Sequence, residues 1–215
     1  MKENSAKKAL IGLLPKETIE GKDFLNYLYY DKDGYILASN NYVLAALKCE
    51  FDSKKKELSE DKEGNIIKDN KYPLWQHLFR GKSFNSVDVD YDKLEHIIDI
   101  NKEQIKKLPK SKHKLPPQAC ELIKFDNVYF RIKQFDKFVK IAKTIKANEF
   151  NYGANDDKMI AITKEGKAVI APMVWNNKDV LDEEPIDYFT YEYKSPQKEK
   201  IKKVTKSKTK TNGKK

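Results

Sequence analysis

Little in this sequence points to catalysis. Its two cysteines, Cys49 and Cys120, lie far apart and not in a C-x-x-C spacing. A zinc ribbon and a dithiol redox pair are therefore not written here. The three histidines, His77, His96 and His113, are scattered without ligand spacing. No G-x-G-x-x-G, P-loop or G-x-S-x-G motif is present. The one apolar stretch near the start, residues 9–14, is far too short to cross a bilayer and has no cleavage motif behind it. These absences lead to an expectation of no cofactor, no metal, no membrane insertion and a reducing, cytoplasmic setting.

What is present is charge and aromatic side chains. Charged residues make up 35% of the chain and aromatics 11%, including 12 Tyr and 10 Phe. So many aromatics rule out a mostly disordered chain, and 215 residues suffice for one good core or two small ones. The formal charge of +10 is unevenly spread. Residues 194–215 hold ten lysines and one glutamate, which leaves the preceding part close to neutral. A Lys-rich stretch mixed with Ser, Thr, Asn and Gly cannot bury a core. It reads as a salt-sensitive tether to nucleic acid or as a solubilising end.

Along the chain, residues 4–14 predict a short helix stopping at Pro15. Residues 24–30 read as a strand, Asp31-Lys32-Asp33-Gly34 as a hairpin turn, and residues 35–38 as the returning strand. Ser39-Asn40-Asn41 makes a second turn, because Asn tolerates the left-handed region, and residues 42–49 form a third strand. Residues 50–71 read as a polar surface excursion. Tyr72-Pro73-Leu74-Trp75 is an aromatic anchor that fixes it to the body. Residues 91–108 have helical periodicity, with Asn101 a candidate break. Residues 110–117, basic with two prolines, read as a linker. A hairpin turns at Asp126-Asn127. Phe135, Phe138, Val139, Ala142 and Ile145 then mark an amphipathic helix. Three strands, 149–152, 158–163 and 167–173, close the pattern. The predicted organisation is an N-terminal half over 1–109, with its polar loop at 50–71, and a C-terminal half over 110–180. A disordered tail follows over 181–215, acidic at first and Lys-rich from 194.

Three segments, in order, resemble the DNA sliding clamp family of bacterial clamps and phage processivity factors. Ala38-Ser39-Asn40-Asn41-Tyr42-Val43-Leu44-Ala45 is similar to the family's Ala-Thr-Asp-Gly-His-Arg-Leu-Ala strand, turn and strand. Tyr42 and Val43 depart from the His and Arg, so roles held by those two do not carry over. Asn70-Lys71-Tyr72-Pro73-Leu74-Trp75 resembles Gly-Lys-Phe/Tyr-Pro-Asp-Tyr. Val169-Ile170-Ala171-Pro172-Met173 resembles the closing Val-Ile-Met-Pro-Met strand. The helix from Phe135 stands where a clamp has one.

The resemblance implies an α+β, clamp-like architecture of antiparallel sheets with amphipathic helices on one face. It implies a non-enzymatic processivity factor that binds double-stranded DNA without sequence preference and tethers a DNA polymerase, or another replication protein, through a short peptide. Lys137, Lys140, Lys143 and Lys146 are the expected DNA contacts, and Pro172, Met173 and Val174 the expected peptide pocket. A two-domain subunit would close its ring as a homotrimer. The compact size and Lys/Asn-rich composition suggest phage or mobile-element origin, hence a bacterial host cytoplasm. Two other readings compete: a monomeric DNA-binding accessory protein that never closes a ring and depends on residues 194–215, and a metal-dependent nuclease using Asp88 and Asp90, with Asp92 beyond them.

Overall fold

The computed structural model describes residues 1–18, 21–68, 72–80, 84–109, 118–153, 158–173 and 184–194. In chain order the elements begin with α1 (Glu3–Ile11), β1 (Leu28–Tyr30), β2 (Tyr35–Ser39), β3 (Val43–Lys48), β4 (Ser59–Glu60), β5 (Ile66–Ile67) and β6 (Asn85–Asp88). They continue with α2 (Tyr91–Lys107), β7 (Leu122–Phe125), β8 (Val128–Arg131), α3 (Ile132–Thr144), β9 (Glu149–Tyr152), β10 (Met159–Thr163), β11 (Gly166–Ile170) and β12 (Ile186–Asp187). A nine-stranded sheet runs β5-β4-β1-β2-β3-β11-β10-β9-β6, and a second sheet runs β12-β7-β8.

The large sheet spans both halves of the sequence because β3 pairs antiparallel with β11, from Val43 opposite Ile170 to Leu47 opposite Gly166. Strand alternation sorts its side chains onto two faces. Ile36, Ala38, Val43, Ala45, Leu47, Met159, Ala161, Ala168 and Ile170 join the main core with α1 and α3. Leu37, Leu44, Ala46, Ile160 and Val169 face the other way and pack with Trp75. The helices thus cover one face and the segment after Tyr72 covers part of the other. This is the predicted α+β arrangement, and alternation in β2 and β3 produces it.

Several local features differ from the sequence reading. Residues 23–26 form a 3-10 turn, so the first strand starts only at Leu28. That turn buries Leu25 and sets Phe24 edge-on to Tyr72, ring centroids 5.5 Å apart. The polar excursion contributes β4 and β5 to the sheet. It is held there by a buried ionic knot. Glu60 pairs with Lys7 of α1 and with Lys55 at 3.6 Å. Tyr30 Oη donates to Glu60 Oε2 at 2.5 Å and lies 3.0 Å from Glu3 Oε1. Burial and then these carboxylates keep the Tyr30 hydroxyl well above its ordinary pKa, fixing it as a donor.

Asn101 does not break the helix. α2 is continuous over 17 residues, and buried Asn101 Nδ2 donates to Leu122 O at 3.3 Å. The predicted linker at 110–117 lies outside the described residues. So does everything after Lys194. Residues 184–194 return to the body: β12 pairs parallel to β7, and buried Tyr188 stacks on Phe125 at 4.7 Å.

Gly166 is the most closely surrounded of the described glycines. A Cβ there would sit 2.6 Å from Ala46 O, 3.0 Å from Ile145 Cγ2 and 3.1 Å from Leu47 Cδ2. The first neighbour is backbone and cannot swing away. Gly166→Ala should therefore destabilise the chain by about 1–3 kcal/mol, the usual cost of overpacking. Urea denaturation measures it, and a change below about 0.5 kcal/mol would contradict the tight β3–β11 approach.

Candidate functional site

One end of the large sheet carries an apolar cavity of about 370 Å³. Its wall is drawn from segments remote in sequence: Phe24 and Leu25, then Asn41 to Leu44, then Tyr72 to Trp75 with Leu78, then Val169, Ala171 and Pro172. These include parts of all three segments that resemble clamps.

The wall is built by local rules. Asn40 makes the β2–β3 turn: its Oδ1 accepts from Tyr42 N at 3.1 Å and Val43 N at 2.9 Å. Its Nδ2 donates to Gln134 Oε1 of α3 at 2.9 Å, tying the turn to the helical layer. Asn41 takes φ 77°, the left-handed value that Asn tolerates and Gly usually fills. Ala171 N then donates to Tyr42 O at 2.8 Å, so the ladder runs one residue past β11 and places Pro172 beside the turn.

Trp75 is the second support. The buried indole Nε1 donates to Asp31 Oδ2 at 3.0 Å. Asp31 is itself buried, and its Oδ1 accepts from Asp33 N at 2.8 Å within the β1–β2 turn. Tyr35 and Phe79 meet the indole edge-on at 5.4 and 5.8 Å. The anchor inferred from Tyr72-Pro73-Leu74-Trp75 thus hooks the 72–79 segment to the sheet. Leu74 is left 81% exposed and Tyr42 47% exposed at the cavity's edge. Tyr72 stacks on Tyr29 at 4.9 Å, and its hydroxyl is buried with no hydrogen-bond partner among the described residues. Burial without a partner drives that hydroxyl's pKa far up.

Of the expected pocket residues, Pro172 lines the cavity. Met173 is not part of the wall; its N–H donates to Tyr129 O of β8 at 2.8 Å. Val174 lies outside the described residues. Wall residues that sequence reasoning missed include Phe24 and Leu25 of the 3-10 turn, Leu78, and the polar Lys22, His77 and Lys158. Phe24 and Leu25 stood in the aromatic-rich stretch read as a strand over 24–30, and nothing in the sequence singled out Leu78.

The expected DNA contacts separate into two kinds. α3 carries four lysines and one aspartate, and none of these lysines is among its buried residues. Lys140 Nζ pairs with Asp136 at 2.8 Å, and Lys143 Nζ pairs with Glu95 of α2 at 2.5 Å. Lys102 of α2 also reaches Asp136, at 3.1 Å. The Lys102–Asp136 and Lys143–Glu95 pairs stitch α2 to α3, and Lys140–Asp136 lies within α3. Lys137 has no ion-pair partner among the described residues. Burial, then the charges of Lys133 and Lys16, push its pKa below the ordinary lysine value. Lys146 is exposed just beyond the helix end, at φ 57°.

The candidate nuclease acids are placed otherwise. Asp90 caps α2, accepting from Lys93 N at 3.0 Å, and Asp88 ends the edge strand β6. Among the described residues no three His, Cys, Asp or Glu side chains are grouped to hold a metal. Cys49 is buried, its thiol pushed up to about 11, and neither cysteine is in a disulfide. No helix of the described residues is long and apolar enough to cross a membrane.

No protein-family model and no curated protein sequence matches the chain. Solved structures do. The chain is similar to the Helicobacter pylori beta clamp bound to a DNA ligase peptide, with a TM-score of 0.52 and 8% identity over 79% of this chain and 62% of the clamp. It is likewise similar to the Bartonella birtlesii sliding clamp bound to griselimycin (TM-score 0.54, 11% identity, 80% and 64% covered). The Caulobacter crescentus polymerase III beta subunit also matches (TM-score 0.54, 10% identity, 81% and 65% covered). The fold is that of the DNA sliding clamps, in a chain spanning a little under two thirds of their length.

Two substitutions separate the wall's polar contacts. Tyr72→Phe removes a hydroxyl that has no partner among the described residues, so stability should stay within about 0.5 kcal/mol or rise slightly. Trp75→Phe strands buried Asp31 Oδ2 and should cost about 1–3 kcal/mol. Thermal and urea unfolding of both variants checks the contrast.

Proposed function

We propose that this chain is a sliding-clamp-like processivity factor. It holds double-stranded DNA without reading sequence, and tethers a DNA polymerase or another replication protein by a short peptide in the apolar cavity. The observation that carries this reading is the convergence of the three clamp-like segments on one cavity within a clamp fold. The DNA ligase peptide on the Helicobacter pylori clamp supports peptide docking as the use of that cavity. The chain acts by binding and carries out no reaction.

The DNA face is the outer side of α3, with Lys137 and Lys146 foremost. Lys140 and Lys143 contribute less, because their acidic partners already offset their charge. Lys137 is crowded by like charge, and a phosphate beside it would relieve that crowding. Contacts of this kind position DNA without specifying its sequence, as sliding requires. Closure around DNA would use several copies, three if each supplies two domains. The setting is the cytoplasm in which replication proceeds, a bacterial host's if the chain is of phage origin.

A second reading, a monomeric accessory protein, is favoured by the ion pairs of Lys140 and Lys143. They leave the helical layer little free charge and shift the burden to the Lys-rich residues after 194.

Retention on DNA separates the two. A ring stays on nicked circular DNA and is lost when the circle is cut, whereas a monomer leaves both alike. For the contacts themselves, Lys137→Gln should lower the slope of log affinity against log salt by about 1. Lys143→Gln should change it by less than about half as much. Equal effects would contradict the assigned pairing.

A further inference from the structure

Just before its lysines begin, the chain is strapped to the body. β12 pairs parallel to β7, with Ile186 opposite Ile123 and Asp187 opposite Lys124. Lys124 Nζ lies 3.8 Å from carboxylate oxygens of both Glu184 and Asp187. Buried Tyr188 accepts from Asp90 N at 3.1 Å through its Oη, and Lys93 Nζ sits 4.8 Å from the centre of its ring. Tyr191 N donates to Asp187 O at 3.0 Å and closes a turn. Tyr191 and Tyr193 then both meet the ring of His96 on α2, at 6.0 and 5.2 Å. Together these contacts hold Lys194 at the flank of α2.

That flank adjoins the helical layer. Glu95 of α2 pairs with Lys143 of α3, and the next residue, His96, meets the strap. α2 is thus gripped by α3 on one side and by the strap on the other. Asp92 and Asp99 each stand three or four residues from both Glu95 and His96, which puts them on the helix surface between the two grips. Both are exposed, and neither has an ion-pair partner among the described residues. Tyr91 Oη donates to Ala147 O at 2.7 Å, so Lys146 stands at the same end of α2 as Tyr188. An acidic ridge therefore runs along α2, with Lys137 and Lys146 on its α3 side. A duplex laid on this layer is repelled by the ridge, since its phosphates come within a Debye length, about 10 Å at 0.1 M salt.

Residues 195–215 carry nine lysines and one glutamate. Resting on the DNA reading above, we propose that the strap of residues 186–193 is a positioning device that roots this Lys-rich stretch beside α2. Its lysines and those of α3 then meet the phosphate backbone of one duplex from either side of the Asp92–Asp99 ridge. Tyr188 is the deep anchor, and Tyr191 and Tyr193 aim the exit. Lys198 and Lys200 follow Lys194 by four and six residues. Their reach is at most about 14 and 20 Å, against about 25 Å for the length of α2. The first lysines are thus delivered at the ridge. Rooting sets their effective concentration at the duplex, which falls roughly as the −3/2 power of the length of a flexible connection. A stretch that served only to solubilise would not depend on where it is rooted.

The test uses the full chain and a fluorescein-labelled DNA duplex of mixed sequence, with binding read by anisotropy over a salt series. In one variant about twenty Gly and Ser residues, a flexible linker, are inserted between Lys194 and Ser195. Every lysine is kept, but those after 194 are no longer rooted. Affinity at low salt should fall about five-fold, with the slope of log affinity against log salt unchanged because the lysines are the same. Tyr191→Ala combined with Tyr193→Ala should weaken binding in the same direction, and circular dichroism reports whether that variant is folded. An affinity unchanged by the insertion overturns the rooting while leaving DNA binding in place. So does a folded tyrosine variant that binds as tightly as the unaltered chain. Failure of the unaltered chain to bind the duplex overturns the DNA reading and this proposal with it.

Discussion

The pairing of β3 with β11 is the contact on which the rest depends. It makes one sheet from strands more than a hundred residues apart. It places the β2–β3 turn beside the end of β11, where the cavity forms. It also sets the helical layer, because α3 packs against both strands while α1 lies on the N-terminal side of the same face. Gly166 permits the closest part of this approach, since any side chain there would meet Ala46 O. Such long-range antiparallel pairing is costly in chain entropy, and burial of both faces of the sheet offsets that cost. The main core covers one face and the smaller cluster around Trp75 covers the other.

The two faces are specialised differently. On the helical face, charge is abundant but largely balanced. α2 carries as many acids as lysines, and three ion pairs bind α2 and α3 or lie within α3. Exposed pairs of this kind add little stability, and their effect here is to commit Lys102, Lys140 and Lys143 to acidic partners. Lys137 escapes this arrangement. On the opposite face the surface is apolar and aromatic, with Leu74 and Tyr42 left exposed beside a cavity edged by lysine. An exposed apolar patch beside a formed cavity is what a peptide-docking surface needs.

Much of this was legible in the sequence. The meander over β1 to β3 followed from the aromatic-rich stretch before Asp31 and from Gly34 and the Asn pair as turn residues. α3 followed from its five apolar positions at helical spacing. The three clamp-like segments anticipated the fold, and parts of all three line the cavity. Other features depended on contacts that no local pattern carries. Ser59 and Glu60 read as polar loop, yet they are buried because Lys7, Lys55 and Tyr30 from elsewhere satisfy Glu60. Asn101 read as a helix break, yet a backbone carbonyl of Leu122 accepts from its amide and α2 continues. Met173 read as pocket lining, yet its backbone is committed to Tyr129. The lysines of α3 were found by periodicity, but their acidic partners on α2 were not, because partner choice is set by helix packing. The lysine edge of the cavity was equally hidden. Lys22 joins the wall through its bond to Asn41, and Lys158 through the β10–β11 register.

The most direct test of the account is amide chemical-shift mapping of the isotopically labelled chain on titration with a short leucine- and phenylalanine-containing peptide. The account predicts that the perturbed amides cluster in residues 39–44, 72–78 and 169–171, three stretches brought together by the β3–β11 pairing. Perturbations centred on α2 and α3, or scattered over the surface without that cluster, would contradict it.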